Sequence, residues 1–157
     1  MQELIIRFAA DGAMIVAALI AFYTFAFVVP REKWWYWGIR IFMAGITTYA
    51  TAKLLGAVYQ PNELRPFEQL GLEPGASYLP NPGFPSDHAL FAMFLTIAVW
   101  FSTKRLDLAL TMLGLTIVIA IARVVALVHA PIDILGGLLI PLIGVLWYRR
   151  KPEKVVK

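Results

Sequence analysis

The chain contains no cysteine, which excludes both a disulfide framework and a thiolate metal site. Charge is also scarce. Only 15% of residues are Asp, Glu, Lys or Arg, whereas soluble domains carry roughly a quarter. No internal repeat and no low-complexity segment is visible. What fills the chain is apolar: 60% of residues are hydrophobic, with 10 Phe, 6 Tyr and 5 Trp, and the mean hydropathy is +0.71. A length of 157 residues suits a single domain. Much of the surface of such a chain is expected to face lipid rather than water.

The N-terminal segment does not read as a cleaved signal. Glu3, Arg7 and Asp11 precede an apolar stretch longer than the roughly 7–15 residues of a signal core, so retention is expected. A bilayer-spanning helix takes roughly 20 mainly apolar residues. Candidate spans fall at 12–29, 36–58, 88–102, 107–129 and 132–148. The third is short, about 15 residues or roughly 22 Å at the helical rise. The fold expected is therefore all-α, a polytopic membrane bundle of about five helices. Between the second and third, residues 59–87 hold Pro61, Pro66, Pro74, Pro80, Pro82 and Pro85 with Gly71, Gly75 and Gly83, which rules out a continuous helix.

Charge placement orients the bundle. Arg31, Lys33, Arg40, Lys104, Arg105, Arg149, Arg150, Lys151, Lys154 and Lys157 fall at one side of such a topology. Only Arg7, Lys53, Arg65 and Arg123 fall at the other. Basic residues collect on the cytoplasmic side, so the proline-rich loop faces outward. The net charge of +4 is thus a matter of membrane orientation, not of nucleic acid. Trp34, Trp35 and Trp37 suit an interfacial aromatic belt.

Ionisable residues near spans are costly and point to function. Lys53 lies late in the second span, Arg123 and His129 late in the fourth, and Asp133 opens the fifth. The loop adds Arg65, Ser86, Asp87 and His88 at the same level. Taken singly, a lysine can snorkel, a histidine can be structural, and an aspartate can favour a helix N-terminus. Together they compose an anion site. Ser86 is placed to N-cap the third span, whose free N–H groups would hold phosphate, with His88 in the first turn. Pro131 suits the first position of the last span, leaving His129 and Asp133 close enough for an imidazole–carboxylate pair. Such a pair orients a nucleophile. Alternatives from the residues alone are a membrane scaffold or transporter that binds phosphate without cleaving it, and a metal site on the two histidines and Asp133, which three nearby cations would oppose. Glu63, Glu68 and Glu73 read as a solvated loop face.

The ordered set resembles the type-2 phosphatidic acid phosphatase superfamily of membrane lipid phosphatases. Its motifs align with Lys53 and Arg65-Pro66, with Pro85-Ser86-Asp87-His88, and with Arg123-x5-His129-x3-Asp133. Asp87 stands where the family has glycine, Ala122 where it has serine, and the interval from Lys53 to Arg65 is longer than usual. The Pro-Ser-Asp-His variant after Arg65-Pro66-Phe67 is similar to the bacterial undecaprenyl-diphosphate phosphatase branch. The family commonly has six spans, so the first would be absent or vestigial here, with residues 2–10 as an interfacial helix.

The resemblance implies a hydrolase of the cell membrane with its site facing the periplasm or exterior. It would remove the terminal phosphate from a lipid (di)phosphate, undecaprenyl diphosphate first among candidates. Phosphatidylglycerophosphate, phosphatidic acid, lipid A phosphate and phosphotransfer to another acceptor are alternatives. His129 would be the nucleophile, Asp133 its partner and His88 the proton donor. Lys53, Arg65, Ser86 and Arg123 would cradle phosphate, with Asp87 paired to Arg65 or Arg123 or positioning His88. No metal or cofactor is called for, the partners are the lipid substrate and the bilayer, and no oligomeric state is implied.

Overall fold

The computed structural model describes residues 1–62, 64–81 and 83–149. Glu63, Pro82, Arg150, Lys151, Lys154 and Lys157, which enter the readings above, lie outside the described residues. Among those described there is no strand. Four helices are long and apolar enough to cross a membrane: α1 (Gln2–Val28), α2 (Arg31–Val58), α5 (Leu106–Val125) and α6 (Pro131–Arg149). Between α2 and α5 lie a short helix, α3 (Pro66–Leu70), and an apolar helix of 17 residues, α4 (Asp87–Thr103).

Local chemistry sets these bounds. Val29 is extended ahead of Pro30, as a residue before proline tends to be. Lys104 closes α4 in the left-handed conformation, a common helix stop. Pro141 lies within α6, where residues Ile140–Gly144 tighten to a 3-10 turn, since proline cannot donate to the helical ladder.

Two boundaries differ from the sequence reading. Residues 2–10 are not a separate interfacial helix; they continue into α1 through a π-helical turn at Phe8–Gly12. The helix of the fourth candidate span, α5, stops at Val125, not at residue 129, and Leu127 turns the chain at φ +59°. The turn is held from outside: Leu127 O accepts the Phe67 N–H at 3.0 Å, and Ala126 O accepts the Gly75 N–H at 3.0 Å. Loop contacts thus end the helix early.

Packing places small residues inside and large ones outside. Ala10, Ala13, Ala17, Ala44, Ala52, Ala89, Ala92 and Ala122 are buried, while Leu19, Phe22, Ile39, Phe42, Ile117, Ile121, Leu139 and Leu146 are exposed. A water-soluble bundle would reverse this, whereas close approach through small residues is the membrane solution. Helix α4 is central, touching α1, α2, α5 and α6. Its shortness suits that place, because protein rather than solvent surrounds it. At Gly137 on α6, a Cβ would fall 2.7 Å from Ser86 O and 3.0 Å from Leu90 N, so glycine alone permits the α4–α6 approach. Thr96 and Thr116, both buried, join α4 to α5 through hydroxyls 2.9 Å apart.

Candidate active site

Four helix beginnings or ends and one loop converge at a cavity of about 310 Å³. Two of the helix starts are built alike. In each, a proline at the first position follows an extended residue, and an acid two residues later reaches back. Glu68 Oε2 accepts the Arg65 N–H at 2.7 Å, and Asp133 Oδ2 accepts the Ala130 N–H at 2.9 Å. This is half of a capping box. It explains why Arg65 and Asp133 are held so firmly, and it makes Glu68 structural.

Asp133 Oδ2 also stands 3.5 Å from His129 Nδ1. Both side chains are buried, with residue exposures of 3% and 5%. Gly83 crosses directly over this carboxylate: a Cβ there would lie 2.9 Å from Oδ2. Ser86 N–H donates to Asp133 O at 3.0 Å, which ties the start of α4 to the start of α6 and brings His88 toward His129.

The cavity is lined by His88, His129, Arg65, Arg123 and Asp87 among the residues expected from sequence. Arg123, only 1% exposed, donates through Nη1 to Asp11 Oδ1 and to Ser77 O, each at 2.8 Å. Its Nε has no partner, so donor capacity remains. Arg65 donates to Leu79 O at 3.2 Å, to Asn81 O at 3.1 Å and to Asn81 Oδ1 at 3.0 Å, and also to Val128 O. These carbonyls orient the guanidinium without neutralising it.

Burial pushes the His129 imidazole below its ordinary value, and the charges of Arg123 and Arg65 act in the same sense, against the pull of Asp133. The ring is therefore held neutral near pH 7, the form with a lone pair to offer.

Three expected residues sit differently. Lys53 is outside this cavity, on a smaller neighbouring one that shares Asn81, Pro85 and Asp87. Asp87 pairs with Lys53, Nζ to Oδ1 at 3.5 Å, rather than with Arg65 or Arg123. Ser86 occupies the N-cap position of α4, but its hydroxyl makes no capping bond and is buried without a partner. It lies behind the cavity wall.

Residues 33–157 match the PAP2 superfamily, more than half of the chain. The chain belongs to this family. It is also 30% identical over 148 residues to the undecaprenyl-diphosphatase BcrC of Bacillus subtilis, covering 92% of this chain and 72% of that protein. No solved structure gave a significant match. As a PAP2 member with several apolar helices, the chain is a multi-pass membrane phosphatase.

The PAP2 motifs account for part of the cavity only. Ser77, Tyr78, Leu79 and Asn81 of the loop complete its lining, held by Asp11 of α1, which bonds Arg123 and Ser77 and which sequence reasoning did not include. Asp11 is an acid at the head of an apolar run, and that signal alone could have placed it. Ser77 and Asn81 gave none, since polar loop residues are ordinary.

Proposed function

We propose that the chain hydrolyses the terminal phosphate of a lipid diphosphate, undecaprenyl diphosphate first among candidates, through a phosphohistidine at His129. The carrying observation is the His129–Asp133 pair on the wall of a cavity that also presents His88, Arg65 and Arg123. With Nδ1 turned to Asp133, His129 offers Nε2 to phosphorus. A bond forms from Nε2 to phosphorus while the bond from phosphorus to the bridging oxygen breaks, and protonated His88 gives its proton to that oxygen. The lipid monophosphate leaves. His88 then takes a proton from water, the hydroxyl attacks phosphorus, and the phosphorus–nitrogen bond breaks to release orthophosphate.

Arg123 and Arg65 offset charge on the phosphoryl oxygens in a poorly hydrated setting, where fixed donors are most effective. The printed activity of the Bacillus relative supports a diphosphate substrate. A simple headgroup also suits a site roofed by a short loop. We place the cavity at the extracytoplasmic side of the cell membrane, because the turns at Arg31, Lys33, Lys104 and Arg105 lie at the helix ends opposite to it and basic residues collect on the cytoplasmic side. In this reading α4 is the fifth crossing.

The test is phosphate release by purified protein in detergent from a panel: undecaprenyl diphosphate, phosphatidylglycerophosphate, phosphatidic acid and lipid A phosphate, each with and without EDTA. Preferred hydrolysis of the isoprenoid diphosphate that survives EDTA is expected. Release from another lipid alone would reassign the substrate, and dependence on added metal would overturn the mechanism.

A further inference from the structure

The carboxylate of Asp11 bonds two residues of the cavity lining, Arg123 and Ser77, and lies 3.7 Å from a third, His88. It comes from α1, before the segment that matches the family, so no family motif assigns it. The helix is π-wound over Phe8–Gly12, around this one acid, and such insertions recur at functional sites. Ala10 beside it packs against Ala122 and Ala126 in the core, which fixes the rotation of the helix.

Among the described residues, the hydrogen-bond and ion-pair partners of the carboxylate all line the cavity. Oδ1 takes the Arg123 Nη1 bond at 2.8 Å and stands 3.7 Å from His88 Nε2. Oδ2 takes the Ser77 N–H at 3.0 Å and also the Ser77 hydroxyl. A charge in an apolar helix is expensive, and here it is spent on one cation and one imidazole that face the cavity.

We propose that Asp11 is a positioning residue of the reaction: its carboxylate locks the Arg123 guanidinium and sets a negative charge 3.7 Å from His88, a second carboxylate–imidazole pair beside His129–Asp133. The proposal rests on the phosphatase reading for its catalytic meaning, but its contact with His88 can be read directly.

The groups facing His88 are the Arg123 cation from α5, the His129 imidazole from the turn after it, and the carboxylates of Asp11 from α1 and Asp87 from α4. Asp87 already shares its charge with Lys53 of α2. Removing the Asp11 charge therefore leaves Arg123 unopposed beside the ring. An opposite charge at this range moves a titration by about 1–3 units, and with both side chains partly exposed the lower figure applies.

The experiment uses the full chain with nitrogen-15-labelled imidazoles. There are 2 histidines, so two rings are seen, and His129→Gln assigns them. In Asp11→Asn, His88 is expected to lose its proton at a pH lower by about one unit. On the lipid diphosphate, kcat falls by about tenfold or more without a rise in KM, and its alkaline limb moves the same way; Asp11→Glu recovers part of both. Should Asp11→Asn not fold, Ser77→Ala, which removes one of the two donors on Oδ2 and leaves the carboxylate charge less offset, must shift His88 the opposite way by less. A His88 titration unchanged in the variant that folds, or undiminished kcat in an active Asp11→Asn, would overturn the proposal. The latter with a lower KM would mean that Asp11 merely occupies the phosphate position. If wild type cleaves no lipid on the panel while the His88 shift is present, the phosphatase reading fails and the Asp11–His88 coupling stands.

Discussion

His129 Nδ1 and Asp133 Oδ2 stand 3.5 Å apart, and that same oxygen accepts the Ala130 N–H at 2.9 Å. One carboxylate thus starts a helix and orients an imidazole. Because the cap fixes the carboxylate, the helix start positions the histidine together with the braced turn before it. Asp133→Asn can keep an acceptor for Ala130 but loses the charge that steadies an imidazolium. The expected outcome is a kcat lower by about 10²–10⁴-fold with a near-normal melting temperature, measured by phosphate release and thermal unfolding in detergent.

The Gly83 contact gives a subtler variant. A methyl group there would meet Asp133 Oδ2 at 2.9 Å, and a carboxylate can swing away at little cost in stability. Gly83→Ala should therefore melt close to wild type, within about 1 kcal/mol, yet lose about tenfold or more in kcat. Wild-type turnover in this variant would show that the orientation of Asp133 is unimportant.

Burial, with Arg123 and Arg65 nearby, lowers the His129 titration from the ordinary 6.5. For activity, the ascending limb of kcat/KM against pH should lie below 6.5, since the neutral ring persists to lower pH. For stability the sign follows from proton counts. Between the folded and unfolded values, the unfolded chain binds a proton that the folded chain refuses, so stability rises with pH there. Below the folded value the loss levels off. Melting temperature should thus fall as pH drops below about 6.5, and His129→Gln should flatten that slope.

Lys53 and Asp87 form the outermost pair of the site, with side-chain exposures of 49% and 43%. Exposed pairs contribute about 0–1 kcal/mol, so Asp87→Asn should leave the melting temperature nearly unchanged. It frees a lysine beside the cavity and removes a carboxylate that repels phosphate. KM for an anionic lipid should fall, more so at low salt, as steady-state assays across ionic strength would reveal. A raised KM would assign Asp87 a direct role in holding substrate.

Much of this was legible in the sequence, for identifiable reasons. Apolar runs and prolines located the helices because hydrophobic length and missing N–H groups act locally. The spacing of Arg123, His129 and Asp133 marked the turn before α6 because Pro131 punctuates it. The end of α5 at Val125 was not legible, since bonds from Phe67 and Gly75 decide it and these are distant in sequence. Asp87 met Lys53 instead of an arginine because Arg65 is committed to loop carbonyls and Arg123 to Asp11, choices made by tertiary packing. Asp11 escaped for a related reason: its partners lie 66 and 112 positions away, and only the folded chain shows that they share one wall.

The central claim is that His129 carries the phosphoryl group. Rapid quenching of the enzyme with lipid diphosphate labelled at its terminal phosphorus tests it most directly. An acid-labile, base-stable label on His129, formed at least as fast as turnover and absent from His129→Ala along with phosphate release, is the predicted result. Normal turnover by His129→Ala, with no label on the protein at any time, would contradict it.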